Sequence, residues 1–218
     1  MIETTLIDHM GTDLSVVNAA RVSFGKSSTF DGRVGGPNVL KDADAKLIQY
    51  LANHGHYSPF GHGFASFHVK APVFVARQLV KHKFLRWNEI SRRYVDSEPE
   101  FYHPTLRKTI NNKKQGSGEP IKNSYIQEEV IRQAHIESLK QYQYLLNTDV
   151  CPEQARMVLP QSTMTEWYWS GSLDAFADMC NLRCTSDTQL ETRLAANQIC
   201  DSMKKLFPVS WFALRLEK

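Results

Sequence analysis

No stretch of this chain is long and apolar enough to span a bilayer. Its opening, Met1-Ile2-Glu3-Thr4-Thr5, has neither the basic nor the apolar part of a secretory leader. From these absences we expect a cytoplasmic protein with no membrane partner. Cysteine is scarce: Cys151, Cys180, Cys184 and Cys200 are too few for a disulfide framework in 218 residues. Cys180 and Cys184 stand one helical turn apart, but no second close pair completes a metal-binding pattern. Reduced, packed thiols and no metal are therefore expected. An excess of one charge is missing too, since the net charge is only +3. That disfavours a polycation spread over nucleic acid and favours a local pocket for a small anion. There is no internal repeat and no composition break, so residues 1–218 are expected to form one domain with ample chain for a core.

The chain does have a concentrated basic tract. Between Arg77 and Tyr94 stand Arg77, Lys81, Lys83, Arg86, Arg92 and Arg93, with His82 among them and Glu89 as the lone acid. Pro72 suits the start of a helix whose apolar stripe would be Val73, Ala76, Val80 and Phe84. That helix would set Gln78 and His82 one turn apart on another face. From Arg86 the helical period fails. A segment so rich in donors suits phosphate oxygens, through charge-assisted hydrogen bonds. The plain alternative is a solvated basic face, but Phe84, Trp87, Ile90 and Tyr94 are interleaved with the charges, and a solvating face has no use for them.

Elsewhere the pattern predicts an α+β fold, a small sheet early in the chain packed with long helices. Thr4 to Ile7 is a strand, and Leu14, Val17 and Ala20 mark a short helix. Gly25 to Asn38 is a loop long enough to gate something. Asp42 opens a helix that Gly55 closes. Phe64 to Ala71 alternates as a half-buried strand, and Trp167-Tyr168-Trp169 suggests another. Helices are expected from Ser124 to Asn147, with Tyr125, Val130, Leu139 and Tyr142 on the apolar side, and from Glu153 to Leu159. Ser172 would cap one through Arg183, and Ser186-x-x-Gln189 would form a capping box for one from Asp187 to Leu206. The tail Pro208–Leu216 is apolar enough to pack. Asn111 to Pro120 is a polar, low-complexity loop. His54, His56 and His62 sit in a Gly-Pro-rich loop at spacings that share no helix face and lack a neighbouring acid or thiol, so a polar ligand-facing loop is preferred to a metal site.

At Lys81-His82-Lys83, seven residues, then Ser91, the chain resembles the flavin-dependent (alternative) thymidylate synthases, whose signature is R-H-R-x7-S. The likeness extends through Ala19-Ala20-Arg21-Val22-Ser23-Phe24, His54-Gly55-His56 with Ser58-Pro59-Phe60, and Phe67-His68-Val69-Lys70-Ala71-Pro72. It continues through Glu153-Gln154-Ala155-Arg156 with Leu159-Pro160, and Asn181-Leu182-Arg183. Blocks in family order over essentially the whole chain are more specific than any one motif. The departures are lysines at 81 and 83, Gly61 where an acid is usual, and Ser172 and Asp178 where asparagines are usual. Lysine keeps the charge but loses the planar fork of arginine.

The resemblance implies synthesis of dTMP from dUMP, with methylenetetrahydrofolate as carbon donor, FAD as hydride carrier and NADPH as reductant. On that basis dUMP would be held by Gln78, Lys81, Glu89, Ile90, Ser91, Arg92, Arg93, Arg156 and Arg183. FAD would be held by Ser58, Lys81, His82, Lys83, Asn88, Glu89, Ser172 and Asp178. Arg183 at the uracil ring would be catalytic, with His56 as a second participant near folate or flavin, or equally a structural polar contact. A lone arginine more often serves a salt bridge, yet Arg156 and Arg183 lie among apolar neighbours and must pair or reach a ligand. The resemblance also implies a homotetramer with sites shared between chains. Two other readings stay open: a nucleic-acid binder stacking bases on Trp87 and Tyr94, and a diverged flavoprotein on this scaffold.

Overall fold

The alternation from Phe64 to Ala71 is realised in β2 (Phe64–Pro72), which buries Ala65, Phe67, Val69 and Ala71 and leaves Ser66, His68 and Lys70 half-exposed. The computed structural model describes residues 1–32, 39–95, 97–110 and 116–215. In it β2 pairs antiparallel with β1 (Glu3–Met10) on one side and β4 (Met164–Ser172) on the other, and β4 pairs with β3 (Leu85–Glu89). The result is one four-stranded antiparallel sheet in the order β1-β2-β4-β3. The expected α+β class holds, and the aromatic run at 167–169 is the middle of β4.

The buried face of the sheet is aromatic. Trp87 of β3 stacks on Trp167 with centroids 4.2 Å apart, diagonal to its pairing partner Trp169. Phe176 of α6 (Leu173–Arg183) meets Phe67 and Trp169 edge-on at 5.2 and 5.7 Å. Helix α7 (Leu190–Leu206) packs on α6 and β1, adding Ala195, Ala196, Ile199 and Met203 to the core. Around one end lie α1 (Asp13–Arg21), α2 (Asp42–Asn53) and α8 (Pro208–Leu214). The tail packs as far as Leu214, with Trp211 buried, and Leu216 lies outside the described residues. Among the described residues no helix is long and apolar enough to cross a membrane.

Several sequence expectations need correction. The helix after Pro72, α3 (Val73–Leu79), ends five residues before Phe84. Val80 and Phe84 are exposed, and the buried face is Val75, Ala76 and Leu79. Phe84 takes a left-handed backbone, φ +64, and turns the chain into β3, a strand that the sequence did not reveal. Pairing of five residues with β4 outweighs the further turn and a half of helix, residues 80–84, that periodicity promised.

Helix α4 (Tyr125–Asn147) buries only the C-terminal part of the expected stripe, with Tyr142 buried and Leu139 half-buried. Tyr125 and Val130 are exposed, and the helix docks through His135, Ser138 and Tyr142. Ser138 Oγ donates to the Val158 carbonyl at 2.7 Å, and His135 Nε2 lies 2.7 Å from Ser162 Oγ. The short helix expected from Glu153 is α5 (Pro152–Ala155) continued by a 3-10 turn (Arg156–Val158). The capping box at 186–189 does not form. Helix α7 begins at Leu190 with Gln189 as its N-cap residue, and the Gln189 side-chain oxygen accepts from Gln78 across the fold instead of capping the helix.

Of the suspected gating loop, residues 33–38 lie outside the described residues, as do 111–115 of the low-complexity loop. Residues 25–32 are irregular, and Ser28 ties them to Asn18 and to the buried Asp44.

Candidate active site

The turn between α3 and β3 carries Lys81, His82 and Lys83 out of the core and faces them toward one side of α6. The cleft between them has a volume of about 320 Å³, with Asp178, Leu182 and Arg183 as its helical wall and Phe84 at its rim. Two local features set its shape. The left-handed Phe84 reverses the chain. Opposite Leu85, β4 carries Gly171, where an added Cβ would fall 2.3 Å from Leu85 Cδ2 and 3.1 Å from the Phe84 carbonyl. Only a residue without a side chain lets the turn approach so closely.

At the cleft's centre, Arg183 Nε–H donates to His82 Nε2 at 3.0 Å. An imidazole nitrogen accepts only when it lacks a proton, so His82 carries its proton on Nδ1. Burial first, and then the charge of Arg183, hold its pKa at about 4 against an ordinary 6.5. His82 is thus a neutral prop that aims the guanidinium. Burial also pulls down the pKa of Arg183, which remains a cation in a poorly solvated place. Asp178 has its carboxyl pushed up by burial and then by Asp174.

Residues 5–209 match the family model described as "Thymidylate synthase complementing protein". The chain belongs to the flavin-dependent thymidylate synthase family. It is 39% identical over 212 residues to the flavin-dependent thymidylate synthase of Thermus thermophilus, a match covering 95% of this chain and 73% of that protein. To the enzyme of the same name from Kosmotoga olearia it is 38% identical over 211 residues, covering 95% and 87%. Among solved structures it is similar to a UMP/dUMP methylase, PolB from Streptomyces cacaoi, bound with 5-Br dUMP. The TM-score is 0.83 at 30% identity, over 98% of this chain and 94% of that one. The same protein bound with 5-Br UMP matches with the same TM-score of 0.83 and 30% identity, over 98% of this chain and 93% of that one.

The residues expected from the family resemblance fall into separate groups in one chain. Lys81, His82, Lys83, Asp178 and Arg183 meet at the cleft. Gln78 lies behind it, its Oε1 accepting from Thr192 Oγ1 at 3.0 Å and its amide donating to Gln189. Glu89 ends β3 and Ile90, Ser91, Arg92 and Arg93 follow it, at the opposite end from Phe84 of a five-residue strand about 17 Å long. There Glu89 accepts from Thr165 Oγ1 at 2.6 Å and Trp87 Nε1 at 3.1 Å. Ser91 Oγ accepts from Arg93 Nε at 3.2 Å, and Arg92 is spent on the Ser97 carbonyl. Asn88 is exposed on β3 opposite Tyr168.

Arg156 is exposed and bonded to the Glu153 carbonyl at 3.2 Å. His56 stands in an exposed aromatic group with Tyr50 and His54, and Ser58 starts the 3-10 turn Ser58–His62; neither lines the cleft. Ser172 precedes α6 as expected, but its hydroxyl makes no capping bond. Trp87, packed on Trp167 and half-buried, is not a free stacking platform for bases.

Sequence reasoning missed Gly171, Thr165 and Thr192, which position Phe84, Glu89 and Gln78. A glycine inside a strand pattern was a usable signal for close backbone approach. The two threonines announce nothing without the fold.

Proposed function

We propose that this chain methylates dUMP to dTMP, with FAD as hydride carrier, methylenetetrahydrofolate as carbon donor and NADPH as reductant. The observation that carries the reading is the Arg183–His82 pair at 3.0 Å in a cleft flanked by Lys81 and Lys83. The donor set fits a dinucleotide cofactor: two lysines for the pyrophosphate and a cleft roofed by Phe84 and Leu182 for an apolar ring. Bound there, FAD would supply the hydride. The uracil carbon becomes nucleophilic as negative charge grows on the ring's oxygen and nitrogen. A desolvated, pre-aimed guanidinium stabilises that charge more strongly than water does. Arg183 takes this role, and neutral His82 keeps its fork oriented without adding a competing cation. Ser91 and Arg93 would hold the nucleotide phosphate, with Ser91 as a positioning hydroxyl.

Because Ser91 and Arg93 follow the far end of β3 and are not among the residues that line the cleft, the reading has a second copy bring Ser91 and Arg93 beside another chain's Arg183. A homotetramer supplies this, and the exposed Tyr125, Ile126 and Val130 of α4 offer apolar surface for it. The direct test is dTMP formation from dUMP, methylenetetrahydrofolate, FAD and NADPH. Colourless protein that neither takes up FAD nor turns over dUMP would overturn the reading. The likeness to a UMP/dUMP methylase favours a second reading in which UMP is also accepted. Loss of tritium from 5-tritiated UMP and dUMP, run in competition, separates the two.

A further inference from the structure

Beside the cleft, along the same helix α6, three thiols converge that the proposed reaction does not use. Cys180 and Cys184 follow one another by one turn on α6, and Cys200 projects from α7. Their sulfurs all lie within 4.8 Å of one another. Zinc–sulfur bonds of about 2.3 Å at tetrahedral angles place sulfurs roughly 3.8 Å apart, so small side-chain rotations close the trio onto one ion.

Simple core packing does not account for the surroundings. Cys180 is fully buried, but Cys184 and Cys200 wall a cavity of about 1030 Å³ that also holds Lys204, Trp211 and Arg215. Trp211 Nε1 donates to Cys200 Sγ at 3.4 Å, the contact that an anionic sulfur invites. Arg215 has Nη1 buried without a partner among the described residues and stacks its guanidinium over Trp211 at 5.9 Å. Three thiolates around one Zn²⁺ carry a net charge of −1, the charge that this guanidinium and Lys204 would offset.

We propose that Cys180, Cys184 and Cys200 form a zinc-binding centre whose fourth position opens into the cavity and is filled there by water. Three protein ligands with one open position distinguish a site that exchanges ligands from a closed structural one. Binding forms three metal–sulfur bonds and releases to solvent whatever protons the thiols hold. The proposal stands apart from the dTMP reading, since neither needs the other.

The test is titration of the reduced protein, as purified, with Co²⁺, then Zn²⁺. Cobalt in a thiolate site gives ligand-field bands at the red end of the spectrum, clear of flavin absorption. Stoichiometric, intense bands of tetrahedral cobalt, displaced by Zn²⁺, are expected. Cys184→Ser and Cys200→Ser, both on the cavity wall, should each lose these bands while keeping the circular dichroism and melting temperature of the parent. The exposed Cys151→Ser should bind like the parent. Absence of the bands, or their survival in both cavity-wall variants, would overturn the centre. Uptake of Cu⁺ alone would overturn its four-coordinate form.

Discussion

At the scale of single residues, the cleft is decided by one hydrogen bond. Arg183→Ala should lower turnover of dUMP by about 10²–10³-fold, the usual cost of removing a preorganised donor from a developing anion. Flavin absorbance should persist in the purified variant, because the lysines and not Arg183 are assigned to the cofactor. Tritium release at the parental rate would show that Arg183 is not at the ring. His82 makes a second prediction. Its folded pKa of about 4 lies below the ordinary 6.5, so between those values the unfolded chain takes up a proton that the folded chain refuses. Stability is therefore full above 6.5 and declines as pH falls through that interval toward 4. Denaturant unfolding followed across the interval should show the decline, and His82→Gln should flatten it. Lys81, His82, Lys83 and Arg183 were all singled out by the resemblance, and the structure brings the four to one cleft. The hydrogen bond itself was not, since 101 residues separate its partners.

At the scale of elements, the turn from α3 to β3 presents the lysines, and β4 holds that turn in place. Gly171→Val should cost about 1–3 kcal/mol, the range for forcing extra methyls into a packed site. Leu85 can swing its Cδ2 away, but the Phe84 carbonyl at 3.1 Å must shift with the backbone. FAD affinity should fall with the melting temperature. An unchanged affinity would mean that the turn's position does not matter. Strand β3 shows why elements are less legible than residues. Leu85-Arg86-Trp87-Asn88-Glu89 alternates only weakly, and neither of its faces is fully buried. What makes it a strand is Trp87 lying against Trp167 and Trp169, a non-local contact that no window of sequence contains. By contrast β2 was readable, because its alternate residues really are buried.

At the scale of the whole molecule, the two ends of the chain are tied together. The buried carboxylate of Asp13, in the first turn of α1, accepts the N–H groups of Val209 and Ser210 at 2.9 and 2.8 Å. Gln198 of α7 likewise accepts from Thr4 N–H at 2.8 Å and donates to the Ile2 carbonyl at 3.1 Å. Asp13→Ala orphans two donors at the start of α8 and should destabilise the fold by about 1–3 kcal/mol, read by denaturant unfolding. The assembly has its own test. If Arg183 and Ser91 of one site come from different copies, co-expression of Arg183→Ala with an inactive Ser91 and Arg93 double variant should restore part of the activity. Mixed protein as inactive as either parent would place the whole site within one chain, against the separation along β3.

The sequence by itself determined the class of fold, the positions of β2 and β4, the helix around Arg183, and the roster of charged residues. Each of these rests on local period or on residue chemistry, which the chain carries wherever it goes. The tertiary structure alone decided that α3 stops at Leu79 and that Gln189 serves Gln78 instead of a helix cap. It alone brought Cys200 to Cys180 and Cys184, and set His82 and not an acid beside Arg183. Those outcomes come from competition between local preference and contacts between residues distant in sequence. In that competition the burial of a paired strand and the satisfaction of a half-buried amide outweigh a turn or two of helix propensity.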